Sequence, residues 1–430
     1  MDAVMNVAAS PATEAQPDAG LRRPPCRLCG AALHRTFVDL GAQPSANAYL
    51  TAERLSGMEP TWPLHAYVCD ECHLVQLEAL HNSEELFADY AYFSSYADSW
   101  LRHAEIYTER MLERFAPDRP ELVVEIASND GYLLQYFVRE GIPVLGIDPA
   151  ANVAAAAEAR GIPTLVRYFG RRLATELATG GRFADLIVAN NVLAHVPDIN
   201  DFAAGFAPIL RPQGMVTVEF PHLLRLIQGN QFDTIYHEHF SYLSLGVVER
   251  LFAAHGLVVF DVEELSTHGG SLRVFAARRD SDHAVSERVA AVRADEAAAG
   301  MDGPEVYDAF AARAARLKRD LVRTLMDLRD AGKTVAAYGA PAKGNTLLNY
   351  CGIGADLVKF TVDRSPHKQG HWLPGSRIPV FEPERLRQER PDYVLILPWN
   401  LKSEIMMGCD FIREWGGKFI VPIPAMTIVP

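Results

Sequence analysis

The stretch ELVVEIASNDGYLLQYFVREG, from Glu121 to Gly141, decides the fold. An apolar run opens it, a polar loop with Asn129, Asp130 and Gly131 interrupts it, and an amphipathic helix follows and stops at Gly141. The next stretch, PVLGIDPAANVAAAAEARG, repeats the unit, with a strand that ends at Asp148. FADLIVANNVLAHVPD gives a further strand closing near Asn190 and Asn191, and GMVTVEFP gives another. Apolar strands alternating with helices build a parallel sheet, because parallel neighbours need a helical crossover that covers the sheet face. The fold class is α/β.

Ligands of an open parallel sheet bind beyond the carboxyl ends of its strands. Asp148, closing the second strand, is well placed to accept hydrogen bonds from both ribose hydroxyls of an adenosine. That edge suits S-adenosylmethionine (SAM) as well as NAD, and the first loop separates the two. A dinucleotide site wants G-x-G-x-x-G, so that pyrophosphate meets the helix N-terminus. EIASNDG has only Gly131 where three glycines would stand. It resembles instead the E/D-x-G-x-x-x-G loop of class I methyltransferases, with Glu125 at its start and Ala127 at the first glycine. Alanine there implies a negative φ. The expected donor site is Glu125, Ala127, Asn129, Asp130, Gly131, Asp148, Asn190 and Asn191.

At 430 residues the chain is too long for one core, which predicts two to four domains. A net charge of -13 with no Lys/Arg block opposes a nucleic-acid partner. No apolar run reaches the roughly 18 to 20 residues of a membrane span, so no membrane partner and a cytoplasmic location are expected. Residues 1–24, rich in Ala and Pro without periodicity, predict a disordered tail.

Four of six cysteines fall in two tight pairs, Cys26 and Cys29 in CRLC and Cys69 and Cys72 in CDEC. Each Cys-x-x-Cys turn aims two sulfurs at one point, so the two pairs together predict a tetrahedral Zn²⁺ with no open position for water. Gly30, just after the second cysteine, fits the positive φ such a turn needs. The metal is expected to be structural, holding a segment with little core of its own.

After an Ala-rich helical run the chain starts a second strand–helix series, in KTVAAYGAPAKGNTLLNYCG, VKFTVDRSPHKQG, DYVLILPWNL and KFIVPIPAM. GAPAKGN is not a Walker A loop, yet Lys343 at a helix N-terminus, with His367 and Lys368 on the next loop, favours an anionic group. His195 closes NNVLAH at the same sheet edge as the donor site, and His268 precedes Gly269 and Gly270 at a strand entry. TIYHEHFSYLS, Thr234 to Ser244, crowds His237, Glu238 and His239 between Tyr236 and Tyr242. Alone it reads as a metal site, an acid/base centre or a polar turn; lacking the helical HExxH spacing, it is a poor metal site.

The succession of CxxC pairs, EIASNDGYLL, IYHEHFSYLS, THGGSLRVF, YGAPAKGNTLLNY and VDRSPHKQG resembles the sugar C-methyltransferases that act on nucleotide-linked 4-keto deoxysugars, from about Pro25 onward. The resemblance implies a SAM-dependent C-methyltransferase of the C-3 carbon, with a nucleotide diphosphate keto-deoxysugar as substrate. It implies His239 as the base, Tyr236 beside the sugar, and Glu238 orienting the imidazole or raising its basicity through an ion pair. It also implies Tyr92, Ser95 and Tyr96 closing over donor or sugar; by their own positions and charge, His195, His268, Lys343, His367 and Lys368 are expected on the acceptor side. The expected architecture is a zinc-binding module over 25–82, a class I SAM methyltransferase domain over 83–302, a helical linker over 303–332 and a Rossmann-like nucleotide-sugar-binding domain over 333–430, in a monomer or small homo-oligomer. The alternatives are methyl transfer to sugar nitrogen or oxygen, or an NAD-dependent oxidoreductase.

Overall fold

The computed structural model describes residues 23–79, 94–96 and 98–430, so Tyr92 and nearly all of the expected tail lie outside the described residues. Among the described residues the strands form three sheets. Strands β1 (Arg35–Gln43), β2 (Trp62–Val68) and β3 (Val75–Leu77) make an antiparallel set after the first cysteine pair. Next come β4 (Val123–Ile126), β5 (Val144–Ile147), β6 (Thr164–Leu165), β7 (Ala184–Asn190) and β8 (Leu210–Pro221), all parallel. The two-residue β9 (Ser241–Tyr242) leaves this domain and pairs antiparallel with β3, as the fourth strand of the zinc module's sheet. β10 (Leu257–Leu265) and β11 (Ser271–Arg278) return to the central sheet, where β11 runs antiparallel to both β10 and β8.

The central order β10-β11-β8-β7-β4-β5-β6 reverses direction of growth at β4 and β7, and loops diverge there to open a crevice at the carboxyl edge. All four residues of β4 and of β5 are buried, as helix-covered parallel strands require. The third sheet repeats this plan with β12 (Val335–Tyr338), β13 (Thr361–Val362), β14 (Val380–Phe381), β15 (Tyr393–Ile396), β16 (Lys418–Val421) and β17 (Thr427–Val429), in the order β14-β13-β12-β15-β16-β17. Its crevice falls between β12 and β15.

The 26-residue helix Glu305–Asp330 joins the parts. Tyr307, Phe310, Ala314, Leu317, Leu321 and Leu325 recur at three- and four-residue spacing and are buried on one face. Phe37 of β1 stacks on Phe310 at 4.4 Å between ring centroids, and the zinc module's apolar face runs into one continuous core with the C-terminal sheet. Each buried leucine of this helix is worth about 1.5 to 3 kcal/mol. Among the described residues no helix is long and apolar enough to cross a membrane.

Candidate active site and zinc centre

The four sulfurs of Cys26, Cys29, Cys69 and Cys72 lie within 4.8 Å of one another, with Cys26–Cys72 and Cys29–Cys69 each at 3.5 Å. A tetrahedron of thiolates around Zn²⁺ at about 2.3 Å has sulfurs about 3.8 Å apart, so the set fits the ion. The two turns share one design: Gly30 N–H donates to Cys26 O at 2.9 Å and His73 N–H to Cys69 O at 2.9 Å. Both follow the second cysteine of their turn with positive φ, +79° at Gly30 as expected and +60° at His73. Gln76 Nε2 donates to Cys26 Sγ at 3.1 Å, a bond that favours the thiolate.

The donor loop departs from the sequence expectation at one residue. Ala127 has φ +57°, in the left-handed region, not the negative φ that alanine implies. The turn out of β4 is set by the sheet, through Ala127 N–H to Ile147 O at 2.7 Å, and the alanine carries the strain, about 1 to 2 kcal/mol. Asn129 at +51° and Gly131 at +77° continue it. Gly131 is also held to hydrogen by packing, since a Cβ there would stand 2.3 Å from Ile162 Cδ1.

Asp148 accepts from Asn129 N–H and Ala150 N–H, both at 2.9 Å, which pins the first loop to the second strand end. Burial pushes its carboxyl up against these bonds. Burial, then the nearby Asp148 and Asp130, pushes Glu125 well above the carboxylate range. Ser95 Oγ donates to Asp130 Oδ2, and Arg160 Nη1 donates to Asp130 O at 2.8 Å. Ser94–Tyr96 form a single turn, whose Ser94 N–H donates to Asn129 Oδ1 at 3.0 Å. Glu125 Oε2, Asp130 Oδ1 and the side-chain amide of Asn191 are buried and have no hydrogen-bond partner among the described residues, and the Asn190 amide has only the Tyr132 hydroxyl beside it. Orphaned polar atoms beside three acids at one strand edge fit a polar, cationic ligand such as SAM.

The second cluster forms where β7's loop meets TIYHEHFSYLS. His195 and His239 face each other edge to face at 4.7 Å between ring centroids, and Phe240 N–H donates to Ala194 O at 2.7 Å. His239 Nδ1 lies 2.9 Å from Thr234 O, and a carbonyl only accepts, so Nδ1 carries the proton. The neutral ring then has its lone pair at Nε2, which accepts from the Tyr236 hydroxyl at 2.8 Å. Burial, followed by the neighbouring His195, pushes His239 well below the ordinary histidine range. Burial likewise pushes His195 and His268 down to about 4. Yet Tyr236, His195 and His239 are only half-buried and His268 is exposed. Groups that are heavily desolvated but still accessible line a recess.

One expectation changes here. Among the described residues Glu238 forms no ion pair with His239: its carboxylate accepts from Asn47 Nδ2 at 2.7 Å, and the basicity of His239 goes down, not up. His237 and Glu238 form a turn, and the His237 ring lies 3.3 Å from Pro63 O.

The C-terminal sheet's crevice faces the same recess. Lys343 Nζ donates to Asn400 Oδ1 at 2.6 Å and lies 4.8 Å from the Trp399 ring centroid. Trp399 Nε1 donates to the buried Asp233 at 2.7 Å, and a Cβ on Gly269 would stand 2.7 Å from the indole. Lys368 Nζ donates to Ala340 O at 2.9 Å, and His367 is exposed beside it. Asp363 holds Ala340 N–H at 2.7 Å and Ser365 N–H at 2.9 Å, as Asp148 does in the central domain. Sequence reasoning missed Asn47, Tyr49, whose hydroxyl donates to Ala340 O, Asp233, Trp399 and Asn400. The last two close β15 at the switch point, which the strand-edge rule could have found; Asn47 and Tyr49 come from the zinc module, where nothing local signals the contact.

A seven-stranded sheet with this acidic and amide rim, coupled to a four-thiolate centre, defines a zinc-binding, class I SAM-dependent methyltransferase. Family models match along the chain: a zinc binding domain over residues 26–87, a methyltransferase domain over 100–262 and a C-methyltransferase C-terminal domain over 266–424. The C-methyltransferase NovU of Streptomyces niveus is 40% identical over 404 residues, covering 94% of this chain and 96% of that protein. The chain belongs to this C-methyltransferase family. The ubiquinone biosynthesis O-methyltransferase of Methylobacterium sp. (strain 4-46) is 36% identical over 97 residues, 22% of this chain and 38% of that one. Among solved structures, magnesium protoporphyrin IX methyltransferase from Synechocystis PCC 6803 with bound SAM superposes with a TM-score of 0.32 at 15% identity, covering 42% of this chain and 82% of that chain.

Proposed function

We propose that this enzyme methylates the C-3 carbon of a nucleotide diphosphate 4-keto-deoxysugar, with His239 as the base. Carbon beside a ketone becomes a nucleophile only after it loses a proton, and a positioned base contributes roughly 100- to 10,000-fold. The observation that carries the reading is the Thr234 carbonyl on His239 Nδ1, which directs the imidazole lone pair toward Tyr236 and the recess. Because burial disfavours the imidazolium, His239 is in its basic form at neutral pH. Tyr236, released from Nε2 by substrate, is free to hydrogen-bond the ketone. Bound SAM supplies the electrophilic methyl group; Glu125, Ala127, Asn129, Asp130, Gly131, Asp148, Asn190 and Asn191 orient it. His195 and His268 flank the sugar, and Ser95, bonded to Asp130, stands at the donor loop. Lys343 and Lys368 supply positive charge for the diphosphate, and His367 offers it a ring N–H. Orientation supplies most of the remaining rate.

The test is incubation in D₂O with a panel of nucleotide 4-keto sugars and no SAM. His239-dependent deuterium at C-3, and label from methyl-labelled SAM found on that carbon by NMR, are expected. Label on oxygen or nitrogen, or exchange that survives His239→Ala, overturns the assignment.

A further inference from the structure

We propose that Arg27, inside the first Cys-x-x-Cys turn, is a positioning residue for both histidines of the recess, so that the zinc centre sets the acid/base geometry. This rests on the reading of His239 as the base. Arg27 Nη1 donates to Pro197 O at 2.8 Å, two residues past His195, and Nη2 donates to Leu77 O. Leu77 N–H in turn donates to Phe240 O at 3.0 Å, and the guanidinium lies 5.4 Å from the Phe240 ring centroid, the residue after His239. One side chain therefore touches both histidine-bearing segments and the edge strand between them.

The metal end of the link is equally direct. Arg27 N–H donates to Gln76 Oε1 at 2.9 Å, while Gln76 Nε2 reaches Cys26 Sγ. Gln76 pairs with Ser241 across the β3–β9 ladder, two residues beyond His239. Asn200 Nδ2 donates to Arg27 O at 2.8 Å and Leu28 O at 3.1 Å, which bolts the turn to the helix after Pro197. Among the described residues the Arg27 guanidinium donates to two backbone carbonyls, Pro197 O and Leu77 O. A guanidinium held in this way fixes the distance between two loops. A shift of about 1 Å in a base is enough to cost about 100-fold in rate.

Arg27→Met keeps the stem and removes both donors; Arg27→Lys keeps the charge and one donor. In full-length zinc-loaded enzyme, zinc content, SAM affinity by calorimetry, kcat, and the ring ¹⁵N shifts of histidine-labelled protein, assigned with His195→Gln and His239→Gln, are measured together. Arg27→Met is expected to keep one zinc and bind SAM within twofold, to move both ring signals, and to lower kcat by about 10- to 100-fold. Arg27→Lys falls between. Unmoved ring signals with kcat within twofold overturn the proposal. If Arg27→Met loses zinc, Arg27→Lys decides by the same readings; zinc loss from both assigns Arg27 to the metal centre alone and overturns it. Moved signals alongside deuterium exchange that survives His239→Ala would keep the positioning and remove only the base assignment.

Discussion

Asp233→Asn should make the protein more stable at pH 8 and change it less at pH 5. The Asp233 side chain is fully buried one residue before Thr234, and Trp399 Nε1 donates to it at 2.7 Å. Burial raises its pKa from 3.8 to about 6, against the opposing pull of Lys343 and the indole. A carboxyl raised on folding binds more protons folded than unfolded, so its contribution to stability falls as pH climbs from about 4 to about 6 and then levels off. Two units amount to about 3 kcal/mol of cost once the group is ionised. Of this, about 1.4 kcal/mol develops between pH 5 and pH 8. Asparagine keeps an acceptor for Trp399 and carries no charge. Its stabilisation should be about 1 to 3 kcal/mol at pH 8 and smaller by about 1.4 kcal/mol at pH 5. Urea unfolding of both proteins at the two pH values reads this difference; groups away from Asp233 cancel between them, and Lys343, whose ammonium Asp233 favours, is the neighbour whose titration the substitution also shifts. A variant less stable at pH 8, or a gap independent of pH, refutes the reasoning.

Glu296 accepts from Leu245 N–H at 2.6 Å, Gly246 N–H at 3.1 Å and the His222 ring at 2.7 Å, so Glu296→Ala should cost about 2 to 4 kcal/mol in urea unfolding, with SAM affinity kept. His239→Gln should lower kcat about 100- to 10,000-fold while calorimetry finds SAM binding within twofold. Because the His239 pKa is depressed and the neutral ring is the base, wild-type kcat/KM should hold flat as pH falls through 6.5 and drop only below it, a limb absent from any residual His239→Gln rate. Cys29→Ser should leave less than one zinc per chain by atomic absorption and lower the thermal midpoint by several degrees. Ala127→Gly relieves a left-handed alanine, so its midpoint should match or exceed wild type; a clear loss would mean that the methyl group packs usefully.

The parallel strands of the two larger sheets were legible because burial on both faces forces continuous apolar runs, as in β4 and β15. The zinc ligands were legible because thiolate chemistry needs paired cysteines close in sequence. Ala127 was not: its φ is imposed by pairing with β5, and residue preference yields to the sheet. Nor was the partner of Glu238, because Asn47 lies 191 residues away in another module. The part Trp399 plays is not legible locally, because it comes from an indole proton meeting a buried carboxylate contributed by a different domain.

The pairing of β9 with β3 also has a consequence for how the chain is made. The last strand of the zinc module leaves the ribosome about 165 residues after Leu77, a wait of about 10 to 30 s at ordinary translation rates. Until then the β3 edge is open, and thiols that capture an ion early can close only part of the module. A fragment ending before Tyr242 should therefore be prone to associate through that edge, and adding the missing strand as a peptide should suppress it.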